Sequence, residues 1–100
     1  MDFDVKKTAD WIADKIRAEG CSVYVNHSLN RFGERSSYIY ALVWEGIKYE
    51  TFGVRVSDHA VSSNRRRRDH HLIQYHIVNE VKDEDIQKIV EVARKCAATT

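Results

Sequence analysis

The chain has 100 residues, of which 43% are hydrophobic and 31% are charged, and its formal net charge at pH 7 is +1. No apolar run approaches the ~20 residues that cross a bilayer, and the N-terminus lacks the features of a secretory signal. Two cysteines are too few for a disulfide scaffold. We therefore expect one domain spanning residues 1–100, located in the cytoplasm and without a membrane partner.

The first and last predicted elements are amphipathic helices. Asp4 can cap the first helix and Gly20 can end it. The apolar stripe of this helix consists of Val5, Ala9, Ile12 and Ile16. Asp83 can cap the second helix. Its apolar stripe consists of Ile86, Ile89, Val90, Ala93 and Ala97. Both helices need an apolar surface to cover.

Between the helices, segments rich in β-branched and aromatic residues predict four strands, at 21–26, 37–44, 47–56 and 72–78. Glu45-Gly46 is typical of a two-residue hairpin turn, which would pair Ile39 with Phe52. The order α-β-β-β-β-α predicts an α+β fold. In this fold a four-stranded antiparallel sheet carries the N- and C-terminal helices on one face.

The most distinctive segment is a run of four arginines, namely Arg65, Arg66, Arg67 and Arg68. Adjacent guanidinium groups repel one another, and phosphate oxygens would offset that repulsion. Residues 55–71 contain five arginines and two aspartates, a local balance of +3, whereas the rest of the chain has a balance of −2. We predict one localised contact with an anionic partner, which Arg55 and His70 would extend. A solvated charged loop or a localisation signal is the alternative.

A second group of candidate residues is aromatic. Strand alternation places them on the sheet face away from the helices: Tyr24, Tyr38, Tyr40, Trp44 and Tyr49. Such a face beside a basic loop is typical of a platform on which unpaired bases stack. The same residue types anchor protein interfaces. A second protomer could also cover them, so a homodimer stays open.

A third group combines histidine and aspartate: His27, Asp58, His59, Asp69, His70, His71 and His76. These side chains could bind a divalent metal or transfer protons. No known metal-ligand spacing is present, and we predict no metal, no cofactor and no catalytic residue. A small metal-dependent enzyme that uses this cluster is the third hypothesis for function.

The pair Ser37-Tyr38, followed by Val54-Arg55-Val56-Ser57-Asp58-His59, resembles a pattern in small uncharacterised proteins of phages and mobile elements. In those proteins a strand ends in Arg-Val-Ser-Asp-His. The resemblance covers about a quarter of the chain. It implies a phage-type accessory protein, and small phage proteins of this class often block bacterial defence complexes such as CRISPR effectors. In physical terms, Ser57 and Asp58 could also close the strand through an Asx-type turn.

The order of elements also resembles a double-stranded-RNA-binding domain. That family has lysines at the start of its last helix, whereas this chain has Asp83-Glu84-Asp85, and strand 72–78 would be additional. We do not adopt that assignment. The sequence predicts a non-enzymatic binding protein that engages nucleic acid or a nucleoprotein complex. The alternative is an anti-CRISPR-type inhibitor that binds only the protein surface of a host defence complex.

Overall fold

The computed structural model describes residues 3–45, 48–59 and 74–98. For residues 42–45, 48–51, 74, 96 and 98 it describes the backbone but not the side chains. Its elements are α1 Val5–Ala18, β1 Ser22–Leu29, β2 Arg35–Glu45, β3 Lys48–Ser57, β4 Gln74–Val78 and α2 Asp83–Ala98. The predicted α+β class and the order α-β-β-β-β-α are confirmed. No helix within the described ranges is long and apolar enough to cross a membrane.

The ends of α1 follow the sequence prediction. The Asp4 side chain accepts a hydrogen bond from the Lys7 backbone N–H at 2.9 Å, and Gly20 has a φ of 101°, which glycine adopts without strain. The start of α2 differs, because Asp83 is its first helical residue and not its cap. Asp85 takes part in fixing this end, since its carboxylate accepts a hydrogen bond from the Tyr75 hydroxyl of β4.

The sheet is mixed and has the strand order β1-β2-β3-β4. β1–β2 and β2–β3 are antiparallel, whereas β3 and β4 are parallel. The prediction of an antiparallel sheet throughout is therefore wrong for this last pair. A parallel connection needs a crossover of about a dozen residues or more, and the segment 58–73 is long enough to provide it.

The register of the β2–β3 hairpin is shifted by two residues from the predicted one. Ile39 lies opposite Val54, and Phe52 lies opposite Ala41. Glu45 pairs with Lys48 and belongs to β2, so the prediction that Glu45 is part of a two-residue turn is wrong. Because side chains alternate with a period of two, a two-residue shift leaves every side chain on its predicted face.

Both helices pack on the same face of the sheet. The buried core comprises, from the helices, Val5, Ala9, Ile12, Ala13, Ile16, Ile89 and Ala93, and from the sheet, Ile39, Ala41, Phe52, Val54, Val56 and Ile77. Every one of these strand residues has the alternation phase of the helix-covered face. Within residues 3–45, 48–59 and 74–98, no helix packs on the opposite face of the sheet.

Candidate functional site

The strand register arranges the face away from the helices into three rows that cross the sheet. The rows are Tyr24, Tyr40 and Gly53; then Asn26, Tyr38, Arg55 and His76; then Ser28, Ser36, Ser57 and Val78. We call this set of residues the tyrosine face. It brings together four of the predicted binding residues, because its first two rows hold all three described tyrosines of the prediction and Arg55.

The tyrosine rings and Arg55 form a continuous series of contacts. The rings of Tyr24 and Tyr40 stack with centroids 4.9 Å apart, and those of Tyr40 and Tyr38 are nearly parallel with centroids 6.5 Å apart. The Arg55 guanidinium carbon lies 5.4 Å from the Tyr38 ring centroid. Each aromatic pair of this kind stabilises the fold by about 0.5–1.5 kcal/mol beyond its buried area.

The tyrosines differ in exposure, which corrects the prediction of a uniformly exposed set. Tyr24 is 52% exposed, Tyr38 is partly buried, and Tyr40 is only 9% exposed. Tyr40 is buried because it lies opposite Gly53, which has no side chain to displace its ring. A Cβ at Gly53 would be 3.8 Å from two carbon atoms of the Tyr40 ring. The ring thus occupies the space beside the glycine backbone, as aromatic residues do opposite a glycine in a sheet. Tyr24 and Tyr38 therefore offer the ring surface that a ligand could reach.

Arg55 is held in place by two neighbours on β2. One terminal nitrogen donates a hydrogen bond to Ser36 Oγ at 3.1 Å, while the guanidinium faces the Tyr38 ring. Its Nε is buried and has no hydrogen-bond partner among the described residues. No carboxylate in the described part of the chain forms an ion pair with Arg55. The charge of Arg55 is thus not neutralised by that part of the chain.

His76 is the cross-strand partner of Arg55 on the parallel strand β4. Partial burial, and next the positive charge of Arg55, lower the pKa of His76 below its usual value of 6.5. The lowered pKa favours the neutral form of the ring near pH 7. A neutral imidazole can donate one hydrogen bond, accept another and stack on a flat ligand.

The Ser57-Asp58-His59 segment ties the end of β3 to the start of β2. Asp58 Oδ1 accepts a hydrogen bond from the Arg35 backbone N–H at 3.1 Å and lies 2.9 Å from His59 Nδ1. The hydrogen bond to His59, and to a lesser degree the bond from Arg35, hold the pKa of Asp58 below its usual range. Ser57 Oγ donates to the His59 carbonyl oxygen at 2.9 Å. These bonds account for the segment without any ligand, and the predicted Asx-type turn stays a prediction because the residues after His59 lie outside the described ranges.

The described histidines occupy separate environments. His27 Nδ1 lies 2.6 Å from Ser37 Oγ and its Nε2 lies 3.4 Å from Asp10, whereas His59 lies against Asp58 and His76 beside Arg55. Across residues 3–45, 48–59 and 74–98, no group of three or more His, Cys, Asp and Glu side chains could hold a metal ion. Asp69, His70 and His71 of the predicted cluster lie outside these ranges.

Several predicted binding residues lie outside the described part of the chain. These are Arg65, Arg66, Arg67, Arg68 and His70. Trp44 and Tyr49 are backbone partners in β2 and β3, and their side chains are likewise outside the description. Arg55 is therefore the one arginine of the predicted site that the structure places on the tyrosine face.

Sequence reasoning missed the tip of the β1–β2 hairpin. Phe32 lies within the turn at 30–34 and is 72% exposed, and Leu29 lies just before it and is 64% exposed. The available signal was the Asn30-x-x-Gly33 spacing around an aromatic residue, because a polar turn seldom needs a phenyl ring. The role of Gly53 was also missed, since it depends on the register of β2 and β3.

Comparison of the chain with known proteins gives no relative. No family model matches it, and no curated protein or solved structure shows a significant match. The function proposed next therefore depends on the tyrosine face and on the amino-acid sequence.

Proposed function

We propose that this protein binds single-stranded nucleic acid on its tyrosine face and acts by binding, not by catalysis. The observation that carries the proposal is the series of ring contacts from Tyr24 through Tyr40 to Tyr38, continued by the Arg55 cation. Aromatic side chains and arginine on a sheet face are a common means of holding unpaired bases.

The exposed part of Tyr24 supports stacking in particular. Its ring is fixed from one side by Tyr40, so little side-chain entropy is lost when a base stacks on it. Stacking on an aromatic side chain contributes about 1–3 kcal/mol per base and tolerates every base type. Bases of a duplex are stacked on one another and are not free for such a contact, so a single strand is the expected ligand.

Arg55 and the arginine run support an anionic ligand. Arg55 has no carboxylate partner among the described residues, and a phosphate would accept hydrogen bonds from its guanidinium group. The residues 65–68 belong to the connection between β3 and β4, the strands that carry Arg55 and His76. Each phosphate contact adds affinity that decreases with salt.

The competing hypothesis is a protein partner, such as a bacterial defence complex, engaged through the same surface. Tyrosine and arginine also anchor protein interfaces, and the resemblance of residues 54–59 to phage proteins motivates that hypothesis. The bonds of Asp58 and His59 lie within the fold, so this segment is explained without a partner. We therefore place nucleic acid first and let one experiment separate the two.

The experiment is fluorescence-anisotropy binding to labelled single-stranded and duplex DNA and RNA over a salt series. Wild type is compared with Tyr24→Ala and with the matched control Trp11→Ala, which removes another half-exposed aromatic side chain from α1. We expect salt-sensitive binding of single strands that Tyr24→Ala weakens and Trp11→Ala leaves unchanged. Absence of binding by folded protein at low salt would overturn the proposal and favour a protein partner.

A further inference from the structure

Arg55 and His76 are neighbours at the β4 end of the tyrosine face. They are Cα partners in the parallel pairing of β3 with β4, so their side chains lie on the same face of the sheet. His76 is an exposed residue whose ring is partly shielded from solvent. Across residues 3–45, 48–59 and 74–98, no carboxylate forms an ion pair with either side chain. A ligand that lies on this face can therefore contact both.

The charge of Arg55 acts directly on the His76 ring. After partial burial, this charge is the second cause that lowers the pKa of His76. On this face β3 presents Gly53, Arg55 and Ser57 to β4, so Arg55 is the charged group of β3 that faces the ring. The row continues on β2 with Tyr38, and α2 packs on the opposite face of the sheet. Within the described part of the chain, the fold thus places a fixed cation beside a histidine without an anion to balance the pair.

The Arg55 guanidinium is ordered before any anion binds. One terminal nitrogen donates a hydrogen bond to Ser36 Oγ at 3.1 Å, and the buried Nε has no hydrogen-bond partner among the described residues. Guanidinium groups bind phosphate oxygens through charge-assisted hydrogen bonds, and an imidazolium ring beside them can donate to the same phosphate. The pair therefore has the donors of a phosphate subsite whenever His76 is protonated.

We propose that Arg55 and His76 together bind one phosphate group of the nucleic acid, and that His76 takes up a proton from solvent when this phosphate binds. The phosphate belongs to a single strand whose bases stack on Tyr24 and Tyr38, so this subsite depends on the proposed function. In the free protein Arg55 repels the proton on His76, whereas a bound phosphate offsets that repulsion and attracts the proton. A neutral His76 ring that stacks on a base would take up no proton, which distinguishes the two roles.

Proton uptake makes the affinity for a single strand depend on pH in a defined direction. The pKa of His76 is higher in the complex than in the free protein, so the affinity increases as the pH falls from the first value to the second. Outside this interval the affinity no longer depends on the protonation of His76. A phosphate in contact with the ring should raise its pKa by about one unit, which corresponds to a gain of about tenfold in affinity.

The first test is fluorescence-anisotropy binding of single-stranded oligothymidine from about pH 8 to pH 5 at constant ionic strength. Thymine has no group that titrates in this range, and circular dichroism at each pH checks that the protein is folded. Wild type should gain about tenfold in affinity on acidification, and His76→Gln should lose this gain. The matched control His27→Gln removes an exposed histidine from the helix-covered phase of β1 and should keep it. Equal gains in wild type and His76→Gln would overturn the proton uptake and leave the proposed function intact.

The second test follows the His76 ring by NMR and needs no nucleic acid. The pKa of the ring is measured with inorganic phosphate and with chloride at the same ionic strength. We expect phosphate to raise the pKa of His76, to leave that of His27 unchanged and to have a smaller effect in Arg55→Ala. A wild type that binds no single strand would overturn the proposed function, and this measurement then decides whether the pair binds phosphate. A pKa of His76 that phosphate does not raise would in that case overturn the subsite as well.

Discussion

Arg55 lies directly opposite Tyr38 in the register of β3 and β2, and its guanidinium carbon is 5.4 Å from the centroid of that ring. A hydrogen bond to Ser36 fixes the same guanidinium from a second side. The side chain therefore has an ordered position before any ligand arrives. This arrangement continues the tyrosine series with a planar cation, which can stack on a base or pair with a phosphate.

Two substitutions of Arg55 should distinguish the contribution of its charge to binding from the contribution of its planar shape. Arg55→Ala should reduce the slope of log affinity against log salt by about 1, because one phosphate contact is lost. Arg55→Lys should keep most of that slope but still bind less tightly, since lysine cannot form the planar contact with Tyr38. Anisotropy titrations at several salt concentrations measure both effects. Equal slopes for wild type and Arg55→Ala would show that Arg55 does not contact phosphate.

Tyr24 provides the corresponding test of stacking. Tyr24→Ala should weaken single-strand binding by about 5- to 150-fold, which corresponds to the loss of one stacked base. Tyr24→Phe should retain most of the affinity because the ring is kept. Since Tyr24 is 52% exposed, both variants should fold, and circular dichroism checks this. Similar losses in the two variants would point to the hydroxyl group and not to stacking.

The elements of the fold were predictable where local patterns determine them. The α1 stripe and the Asp4 cap follow from helical spacing and from the hydrogen-bonding needs of a helix end. The direction of β4 was not predictable in this way, because a long connection permits either parallel or antiparallel pairing. The predicted β2–β3 register differs from the observed one by two residues. The strand pattern determines which face each side chain occupies, but it does not determine which residues pair across the hairpin.

Part of the candidate site was also predictable, because strand alternation determines which face of the sheet a side chain occupies. Alternation correctly placed Tyr24, Tyr38 and Tyr40 on one face, and the observed register adds Arg55 to it. It did not reveal that Tyr40 is buried, because that depends on the glycine opposite it at position 53. The prediction for Arg65–Arg68 stays a prediction, and binding measurements on variants of that run are the way to test it.

His76 should make stability depend on pH. Its pKa is lowered in the folded protein, first by burial and then by Arg55, whereas the unfolded chain has the ordinary value. The unfolded state therefore binds more protons as the pH falls below about 7, and the unfolding free energy decreases with it. The stabilising contribution is complete above the unfolded pKa and is lost on acidification.

The measurement is urea unfolding at several pH values from about 8 to 5, on wild type and on His76→Gln. The variant lacks the titrating ring, so its unfolding free energy should decrease less on acidification. Changes with pH that run in parallel for the two proteins would contradict the role of His76. NMR titration of the ring in Arg55→Ala gives a control, because its pKa should rise when the neighbouring charge is removed.

Ile77 tests the placement of β4 against the core. Its side chain is buried on the helix-covered face, so Ile77→Ala should destabilise the protein by about 2–5 kcal/mol. Glu80→Ala, at a nearby exposed position, should change stability by less than about 0.5 kcal/mol. Denaturant unfolding measures both. A near-neutral Ile77→Ala would mean that β4 does not pack on the core in the observed phase.

The proposed function requires that a single strand contacts the tyrosine face. NMR spectra of isotope-labelled protein, recorded during titration with a short single-stranded oligonucleotide, test this contact residue by residue. We expect the signals of Tyr24, Tyr38 and Arg55 to shift with the bound fraction while those of Trp11 on α1 stay in place. Shifts confined to the helices or the hairpin tip, or none under low-salt conditions, would contradict it.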